Sequence, residues 1–355
     1  MKKVAIIGHF GGNENFYDGQ TVKTKNLDKL LGSCSDFVIK KVDTYYSKKN
    51  KLKLLIDTVG ALITCEHIFL LVSVNGMRVF FPLLYHLNRF AKKHIYHYVI
   101  GSELLELIEQ NNGLVKYLNS FDANWFEYES GTIRLQQYGV RNAVTVPNFK
   151  NITPVSMAIE YSSEMKPFPF CTFSRVMREK GITDAIEAVV RLNKEYGQRI
   201  ARLDIYGPID LSYEDELKKL LQLHPDCVEY KGVVDSQQSV EILKDYYALL
   251  FPTRWPGEGM PGTVIDAFAA GIPIIASDWN ANKEIITNMK DGIIYPSDEF
   301  ETLYDAVAWS VNNPEVINKM RVECINQAKQ YMPETVLEII LTAMGHRVNS
   351  NLDNQ

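Results

Sequence analysis

The chain has 355 residues, 46% hydrophobic and 23% charged, which excludes a disordered protein and favours two folded domains. It has no run of about 18 apolar residues that could span a bilayer, and its N-terminal apolar stretch is too short for an export signal, which predicts a cytoplasmic protein. Residues 1–150 hold 19 Lys and Arg against 13 Asp and Glu, and the rest hold 19 against 30, so the acidic second half argues against nucleic-acid binding.

Apolar runs alternate with amphipathic segments in the first half. The predicted strands are 4–8, 37–42, 68–74, 95–100, 121–127 and 143–146, and the predicted helices are 21–31, 52–64, 79–93, 103–110 and 130–138. Strands that are apolar throughout and alternate with helices are typical of a parallel sheet covered on both faces. Residues 150–169 contain three prolines and predict a linker.

The second half repeats this alternation. The predicted strands are 170–174, 201–206, 228–230, 249–252 and 274–277, the predicted helices are 182–196, 214–223, 240–245 and 263–270, and most of the remainder is predicted to be helical. The pattern predicts an α/β fold with a domain at 1–150 and a second at 151–335. Residues 336–355 are predicted to form a C-terminal helix and tail, and we hypothesise that they pack back on the N-terminal domain.

A glycine- and proline-rich loop links the predicted strand 249–252 to the next helix. Three glycines and two prolines between 256 and 262 let backbone amides approach an anionic ligand at the helix start. Glu258 and Asp266 bracket the loop with seven residues between them, and two carboxylates facing a cleft suit sugar and ribose hydroxyls better than phosphate. The alternative is a Glu near a helix N-terminus and a solvated helical Asp.

The segment 255–276 resembles the signature of the retaining GT-B glycosyltransferases of family four, the group 1 or glycogen-synthase-like enzymes. In that signature two Glu residues are separated by seven residues and followed by Ala-x-Ala-x-Gly-x-Pro. This sequence departs from it at Asp266, which is one methylene shorter than the second Glu, and follows it at Glu258, Gly259, Ala267, Ala269, Gly271, Pro273, Ile274, Ile275 and Ala276. The resemblance implies two Rossmann-like domains that face each other across a cleft.

A second element, residues 173–181, is similar to the family's Gly-Arg-x-x-x-x-Lys-Gly loop, with Ser174 at the position of the first Gly. Arg175 and Lys180 match its two cations, and a guanidinium and an ammonium beside a helix start suit a diphosphate. The resemblance implies that both offset charge on the leaving nucleoside diphosphate while Glu258 orients the sugar. These three are the predicted catalytic residues.

The resemblance also implies donor-binding and N-domain residues. The predicted donor-binding residues are Asp266, Gly259, Met260, Gly262, Thr263, Val233 and Gly207, and those on the N-domain side of the cleft are Gly11, Gly12, His97 and Gly101. The amides of Gly11 and Gly12 are expected to face the diphosphate or the acceptor. His97 is expected near the donor sugar, with a strand histidine facing the core as the alternative.

The resemblance implies a retaining hexosyltransferase of bacterial surface-polysaccharide synthesis. It would move a sugar from a nucleotide diphosphate sugar, UDP preferred and GDP as the alternative, to a hydroxyl of a glycan or lipid-linked saccharide. The sequence contains no Asp-x-Asp triplet, which predicts a metal-independent enzyme, and we expect no cofactor beyond the co-substrate. Two alternatives stay open: a nucleotide-sugar epimerase of the same fold, and a non-catalytic nucleotide-sugar-binding subunit.

Lysines and arginines flank two apolar segments of the first half. They are Lys48, Lys49, Lys51 and Lys53, which lead into the helix 52–64, and Arg89, Lys92 and Lys93, which follow the apolar stretch 79–85. Cations beside apolar residues suit anionic lipid headgroups. The pattern predicts peripheral contact with the inner face of an anionic plasma membrane, with core helices and solvated lysines as the alternative.

Overall fold

The computed structural model describes residues 1–14, 16, 18–47 and 50–345. Its contacts divide the chain into two units. The first comprises Met1–Asn151 together with the chain from Tyr331, and the second comprises Ile152–Gln330. Residues 346–355 of the predicted C-terminal segment lie outside the described residues.

The first unit contains a parallel six-stranded sheet. Its strands are β1 (Lys2–Gly8), β2 (Phe37–Asp43), β3 (His67–Leu71), β4 (His94–Tyr98), β5 (Ala123–Phe126) and β6 (Ala143–Thr145). The helices up to its last strand are α1 (Gly19–Gly32), α2 (Lys51–Thr64), α3 (Val74–Ala91), α4 (Glu103–Gln110), α5 (Val115–Leu118) and α6 (Glu129–Gln137). In the order β2-β1-β3-β4-β5-β6, the chain adds β2 on one side of β1 and the later strands on the other, so the strand order reverses between β1 and β3. Ligands in such sheets bind at the carboxyl ends of the strands beside that reversal.

The second unit contains another parallel six-stranded sheet. Its strands are β7 (Phe168–Phe173), β8 (Ala201–Tyr206), β9 (Val228–Gly232), β10 (Ala248–Phe251), β11 (Ile274–Ser277) and β12 (Gly292–Tyr295). Its helices are α7 (Ile182–Tyr196), α8 (Glu214–Leu223), α9 (Ser239–Leu243), α10 (Gly262–Ala269), α11 (Asn282–Ile285), α12 (Phe300–Asn312) and α13 (Pro314–Ala328). The order β12-β11-β10-β7-β8-β9 is that of a Rossmann sheet, with its reversal between β7 and β10.

A last helix, α14 (Pro333–Ala343), completes the first unit. Its Val336 and Ile340 are fully buried in the cluster that also contains Val4, Phe69 and Trp125. The unit's hydrophobic core is therefore built from segments at both ends of the described chain.

The predicted fold class, α/β with two parallel sheets, is confirmed. One local prediction is wrong, and one strand was not predicted. The strand predicted at 68–74 ends at Leu71, and α3 begins at Val74 rather than at 79, because an unbroken apolar run does not mark where a strand gives way to a helix. The strand β12 lies in the region predicted to be mostly helical and was not predicted, since a run of four residues shows no distinguishing period.

The apolar segments near the basic residues differ in exposure. Phe80, Phe81 and Leu84 of α3 are buried in the first unit, as the core-helix alternative expects for the stretch 79–85. Lys48 and Lys49 lie outside the described residues. Among the helices that the structure describes, none combines the length and the apolar character needed to cross a bilayer.

Candidate active site

The two loops singled out by the sequence leave neighbouring strands of the second sheet. β7 leads into residues 174–181, β10 leads into residues 252–261, and the two strands pair directly. Because the connections from β7 and β10 depart in opposite directions, a crevice opens at the carboxyl ends of these strands. Both loops therefore border the crevice where ligands bind in open α/β sheets.

Gly181 brings the first loop against the second. It adopts a left-handed φ of 70° between a 3-10 turn, Arg178–Lys180, and the start of α7. A Cβ at this position would lie 2.2 Å from the backbone oxygen of Pro252, which is closer than any side chain tolerates. Only glycine therefore lets the turn that carries Lys180 approach the end of β10 so closely.

Lys180 and Glu258 meet at this point. The Lys180 ammonium donates to the Glu258 carboxylate, and their side chains are only 13% and 8% exposed. The Thr253 hydroxyl donates to the same carboxylate oxygen at 2.8 Å, and the Ser277 hydroxyl donates to the Thr253 backbone oxygen at 2.6 Å. Two of the three predicted catalytic residues, Lys180 and Glu258, thus form a largely buried ion pair with each other at the crevice.

The turn after β11 forms hydrogen bonds to the loop of residues 252–261, which we call the acidic loop. The Trp279 indole N–H donates to the Trp255 backbone oxygen at 2.8 Å. The Asn280 side-chain amide donates to the backbone oxygens of Pro256 at 3.2 Å and Glu258 at 3.1 Å. Asn280 has a φ of 47°, a conformation that Asn tolerates better than most residues. Sequence reasoning missed this support, and its only local signal is the turn-forming Asp-Trp-Asn that follows the strand.

Arg175 differs from Lys180 in its surroundings. It is exposed on the loop after β7, on the side of the loop after β8. The pKa of Asp210 in that second loop is lowered, chiefly by hydrogen bonds from Ser212 and also by the nearby Arg175 guanidinium. Arg175 is thus accessible to a ligand, whereas the ammonium of Lys180 is held by Glu258.

Asp266 is buried in the second turn of α10. One of its carboxylate oxygens accepts a hydrogen bond of 2.8 Å from the hydroxyl of Ser239, at the start of α9. Ser239 is a further polar group that sequence reasoning did not identify. The contact of Asp266 with a ribose stays a prediction.

The other predicted residues of the acidic loop lead into α10. Gly259 and Met260 are buried, whereas Gly262 and Thr263 are half-buried at the first two positions of the helix. The first N–H groups of a helix have no intrahelical acceptor and favour an anion. The Thr263 hydroxyl is buried without a hydrogen-bond partner among the described residues, so it remains available to form a hydrogen bond with a ligand at this helix start.

Gly207 joins the loops after three strands. Its φ is 130°, and a Cβ there would lie 1.8 Å from the backbone oxygen of Ser174. Its N–H donates to the Gly232 oxygen at 2.9 Å, and its own oxygen accepts from the Tyr230 hydroxyl at 2.9 Å. Val233, which follows β9, is about half exposed. Gly207 therefore has a structural role, and its contact with the donor stays a prediction.

In the first unit, the glycine loop follows β1 beside the reversal of strand order. Gly11 and Gly12 both have positive φ values, 85° and 58°. The Gly12 N–H donates to Asp43 at 2.9 Å, and the Phe10 N–H donates to the other oxygen of the same carboxylate at 2.9 Å. The loop thus lies where a ligand is expected, but the Gly12 amide already has an acceptor within the unit.

His97 is a fully buried core residue of β4. Its ring packs edge-on to Phe81 with centroids 4.9 Å apart, and its Nδ1 lies 3.2 Å from the Asn124 side-chain oxygen. Desolvation lowers the pKa of His97 from 6.5 to about 3. These contacts match the alternative of a strand histidine that faces the core. Gly101, half-buried with a φ of 65°, lies on the loop that follows the strand.

Within the ranges that the structure describes, no group of three or more His, Cys, Asp or Glu side chains is arranged to hold a metal ion. The arrangement at the crevice consists instead of cations, a carboxylate and a helix start. Such a set can bind a diphosphate through the cations and the helix N–H groups, and hydroxyls through the carboxylate.

The two parallel α/β units define a GT-B fold. HepE of Anabaena, solved in complex with UDP, superimposes with a TM-score of 0.75 at 12% identity over 97% of this chain and all of that chain. The lipopolysaccharide outer core galactosyltransferase WaaB superimposes with a TM-score of 0.69 at 14% identity, over 97% of this chain and 99% of that one.

Sequence comparison gives the family. Residues 159–331 match the sequence model of the glycosyl transferases group 1, so the second unit is a group 1 glycosyl transferase domain, and the chain is related to glycosyltransferases of bacterial lipopolysaccharide and exopolysaccharide. The mannosyltransferase LpsB of lipopolysaccharide core biosynthesis in Rhizobium meliloti is 30% identical over 155 residues, 40% of this chain and 41% of LpsB. The GtfA subunit of the UDP-N-acetylglucosamine–peptide N-acetylglucosaminyltransferase of Streptococcus pneumoniae is 26% identical over 205 residues, 55% of this chain. The alignments thus span less than half the length of either relative.

Proposed function

We propose that this protein is a retaining glycosyltransferase that moves a sugar from a nucleotide diphosphate sugar to a hydroxyl acceptor. The observation that carries the proposal is the contact of Lys180 with Glu258 at the strand-order reversal of the second sheet. A diphosphate-binding cation and a hydroxyl-binding carboxylate are adjacent there, beside the start of α10. This spacing suits a ligand in which a sugar is bonded directly to a phosphate.

The donor replaces the ion pair when it binds. In the free protein, the Lys180 ammonium and the Glu258 carboxylate satisfy each other. A donor offers the same chemistry, because its diphosphate is an anion for Lys180 and its sugar hydroxyls are donors for Glu258. Exposed Arg175 supplies a second cation. Exchange of partners keeps both buried charges satisfied, which favours a donor that carries both groups.

The transfer follows a front-face path. The bond between sugar C1 and the phosphate oxygen breaks, the acceptor oxygen bonds to C1 from the same face, and the acceptor proton passes to the departing phosphate oxygen. Lys180, Arg175 and the N–H groups at the start of α10 stabilise the negative charge that builds on the diphosphate. Asp266 and Val233 are assigned to the nucleoside, at the ribose and the base respectively. No step needs a metal ion, so EDTA should leave turnover unchanged.

UDP is the preferred nucleotide, and a glycan or lipid-linked saccharide is the preferred acceptor class. HepE was solved with UDP and with UDP-glucose, and GtfA is named for UDP-N-acetylglucosamine. The names of LpsB and of WcaL, a putative colanic acid biosynthesis glycosyltransferase, support a role in surface-polysaccharide synthesis. The proposed location is the cytoplasm.

The test is a panel of UDP- and GDP-sugars, scored by thermal stabilisation of the protein and by release of the nucleoside diphosphate. One donor should raise the melting temperature, and a saccharide acceptor should accelerate release, with the product anomer matching the donor by NMR. Conversion of the donor to an epimer without release would identify an epimerase. Binding without release, in the presence of a broad acceptor set, would identify a non-catalytic subunit.

Variants test the assigned cations. Arg175→Ala and Lys180→Ala should each lower turnover by about 10²-fold, the effect of losing one transition-state charge contact. Arg178→Ala is the matched control, because Arg178 lies in the same loop but pairs with Glu216 at the surface. Near-normal turnover in the first two variants would refute their role.

A further inference from the structure

One face of α2 exposes a row of aliphatic side chains to solvent. Leu52, Leu55, Ile56 and Ile63 are 67%, 43%, 61% and 71% exposed, and Val59 between them is half-buried. Spacings of three, four, seven and eleven residues from Leu52 place all five on one stripe of the helix. The opposite side of α2 supplies its buried residues. The row, which we call the aliphatic face of α2, is therefore not part of the core.

Cations border the aliphatic face. Lys51 and Lys53 are exposed in the first turn of α2. α2 contacts α3, and the last turn of α3 presents Phe90, which is almost fully exposed, together with exposed Arg89. Lys92 follows it and is also exposed. Both of these contacting helices thus expose apolar and positively charged side chains.

We propose that the aliphatic face of α2 binds the surface of an anionic lipid bilayer. Its aliphatic side chains enter the boundary between headgroups and acyl chains, while Lys51, Lys53, Arg89 and Lys92 bind headgroup phosphates. The charge of residues 1–150, with 19 basic against 13 acidic side chains, adds long-range attraction.

Charge complementarity favours this occupant over a second copy of the chain. Two copies joined through α2 would bring the lysines of both copies into one interface, and repulsion between these positive charges opposes association. A bilayer surface that contains anionic lipid supplies the opposite charge over the whole patch and apolar volume beneath it. This inference rests on the surface of the first unit alone and does not depend on the proposed transferase activity.

The experiment is sedimentation of the full chain with vesicles of phosphatidylcholine alone or mixed with phosphatidylglycerol. The wild type should sediment with the mixed vesicles at low salt and much less at high salt. Lys51→Gln combined with Lys53→Gln should weaken the partition constant about 25-fold, which is about fivefold per cation. Ile56→Gln combined with Ile63→Gln should weaken it by at least about tenfold through loss of buried aliphatic area.

Leu223→Gln combined with Val322→Gln is the matched control, because both side chains are exposed aliphatics of the second unit. It should bind as the wild type does. If the change at Ile56 and Ile63 alters the melting temperature, Leu52→Gln takes its place.

Three results would overturn the proposal. One is no binding of the wild type to mixed vesicles at low salt. Another is a partition constant that does not change when the aliphatic side chains are replaced, which would mean that binding depends only on the overall charge of the protein. The third is a wild-type dimer that the same substitutions convert to a monomer in light scattering without vesicles, which would assign the face to a second copy.

Discussion

Removal of the Lys180 ammonium should destabilise the second unit, because it leaves the Glu258 carboxylate buried without its cation. The two side chains are 13% and 8% exposed, and deletion of one partner of a buried ion pair costs about 3–5 kcal/mol. The Thr253 hydroxyl, 2.8 Å from the same oxygen, retains part of the stabilisation. We therefore expect Lys180→Ala to lower the free energy of unfolding by about 2–4 kcal/mol.

The double variant is the sharper measurement. When Glu258→Gln accompanies Lys180→Ala, no buried charge is left unpaired, so the combined loss should be smaller than the sum of the single losses by about 2 kcal/mol. Differential scanning calorimetry should show a melting temperature of the second unit lower by roughly 4–16 °C for Lys180→Ala. Urea unfolding of all three variants supplies the cycle.

Arg178→Ala controls for loss of a cation from the same loop. Its pair with Glu216 is at the surface, with the Arg178 side chain 69% exposed, and such pairs contribute about 1 kcal/mol or less. If Lys180→Ala costs no more than Arg178→Ala, or if the two losses in the cycle simply add, the ion pair does not couple the two loops and the reasoning is refuted.

Three further predictions concern glycines with positive φ, the pH dependence of stability, and the contact of Asn280 with the acidic loop. Gly207→Ala should abolish soluble folded protein because its Cβ would lie 1.8 Å from a backbone oxygen, whereas Gly197→Ala, with nothing within 4 Å of its Cβ, should cost about 1 kcal/mol by thermal melting. The pKa of His97 is lowered from 6.5 in the unfolded chain to about 3 in the folded one, so the unfolded chain takes up this proton first as the pH falls. The contribution of His97 to the free energy of unfolding is therefore complete above pH 6.5 and decreases by about 1.4 kcal/mol per pH unit between pH 6.5 and pH 3. His97→Gln should flatten this slope in urea unfolding, and an unchanged slope would contradict the assignment. Asn280→Gly and Asn280→Ala both remove the amide that holds the Glu258 backbone and should lower kcat about tenfold; full activity of the glycine variant would show that only the φ of 47° matters.

Local patterns in the sequence were sufficient to locate most elements. The helices α4, α7 and α8 and the strands β8 and β11 have the predicted bounds, because each is a single periodic or apolar run closed by polar or turn-forming residues. The short strand β12 and the start of α3 were not found, since short apolar runs have no period that separates helix from strand.

The loops that border the crevice were also identifiable from the sequence, because glycines, prolines and isolated charges after a buried strand have few structural uses. What the sequence could not provide is the order of the strands. Lys180 and Glu258 are 78 residues apart and meet only because β7 and β10 are neighbours. The same holds for Asn280, whose amide reaches the acidic loop from the turn after β11.

Side-chain direction was likewise decided only by tertiary structure. Both faces of a parallel sheet are covered, so β4 shows no alternation that would tell whether His97 faces a ligand or the core, and the packing of α3 against the sheet decides it. The Gly12 amide could be assigned to a ligand from sequence, but Asp43 at the end of the neighbouring β2 accepts it. The sequence by itself determined which elements form and which loops are unusual, because these depend on adjacent residues. Which polar groups satisfy one another depends on segments distant in sequence, and only the folded chain brings those together.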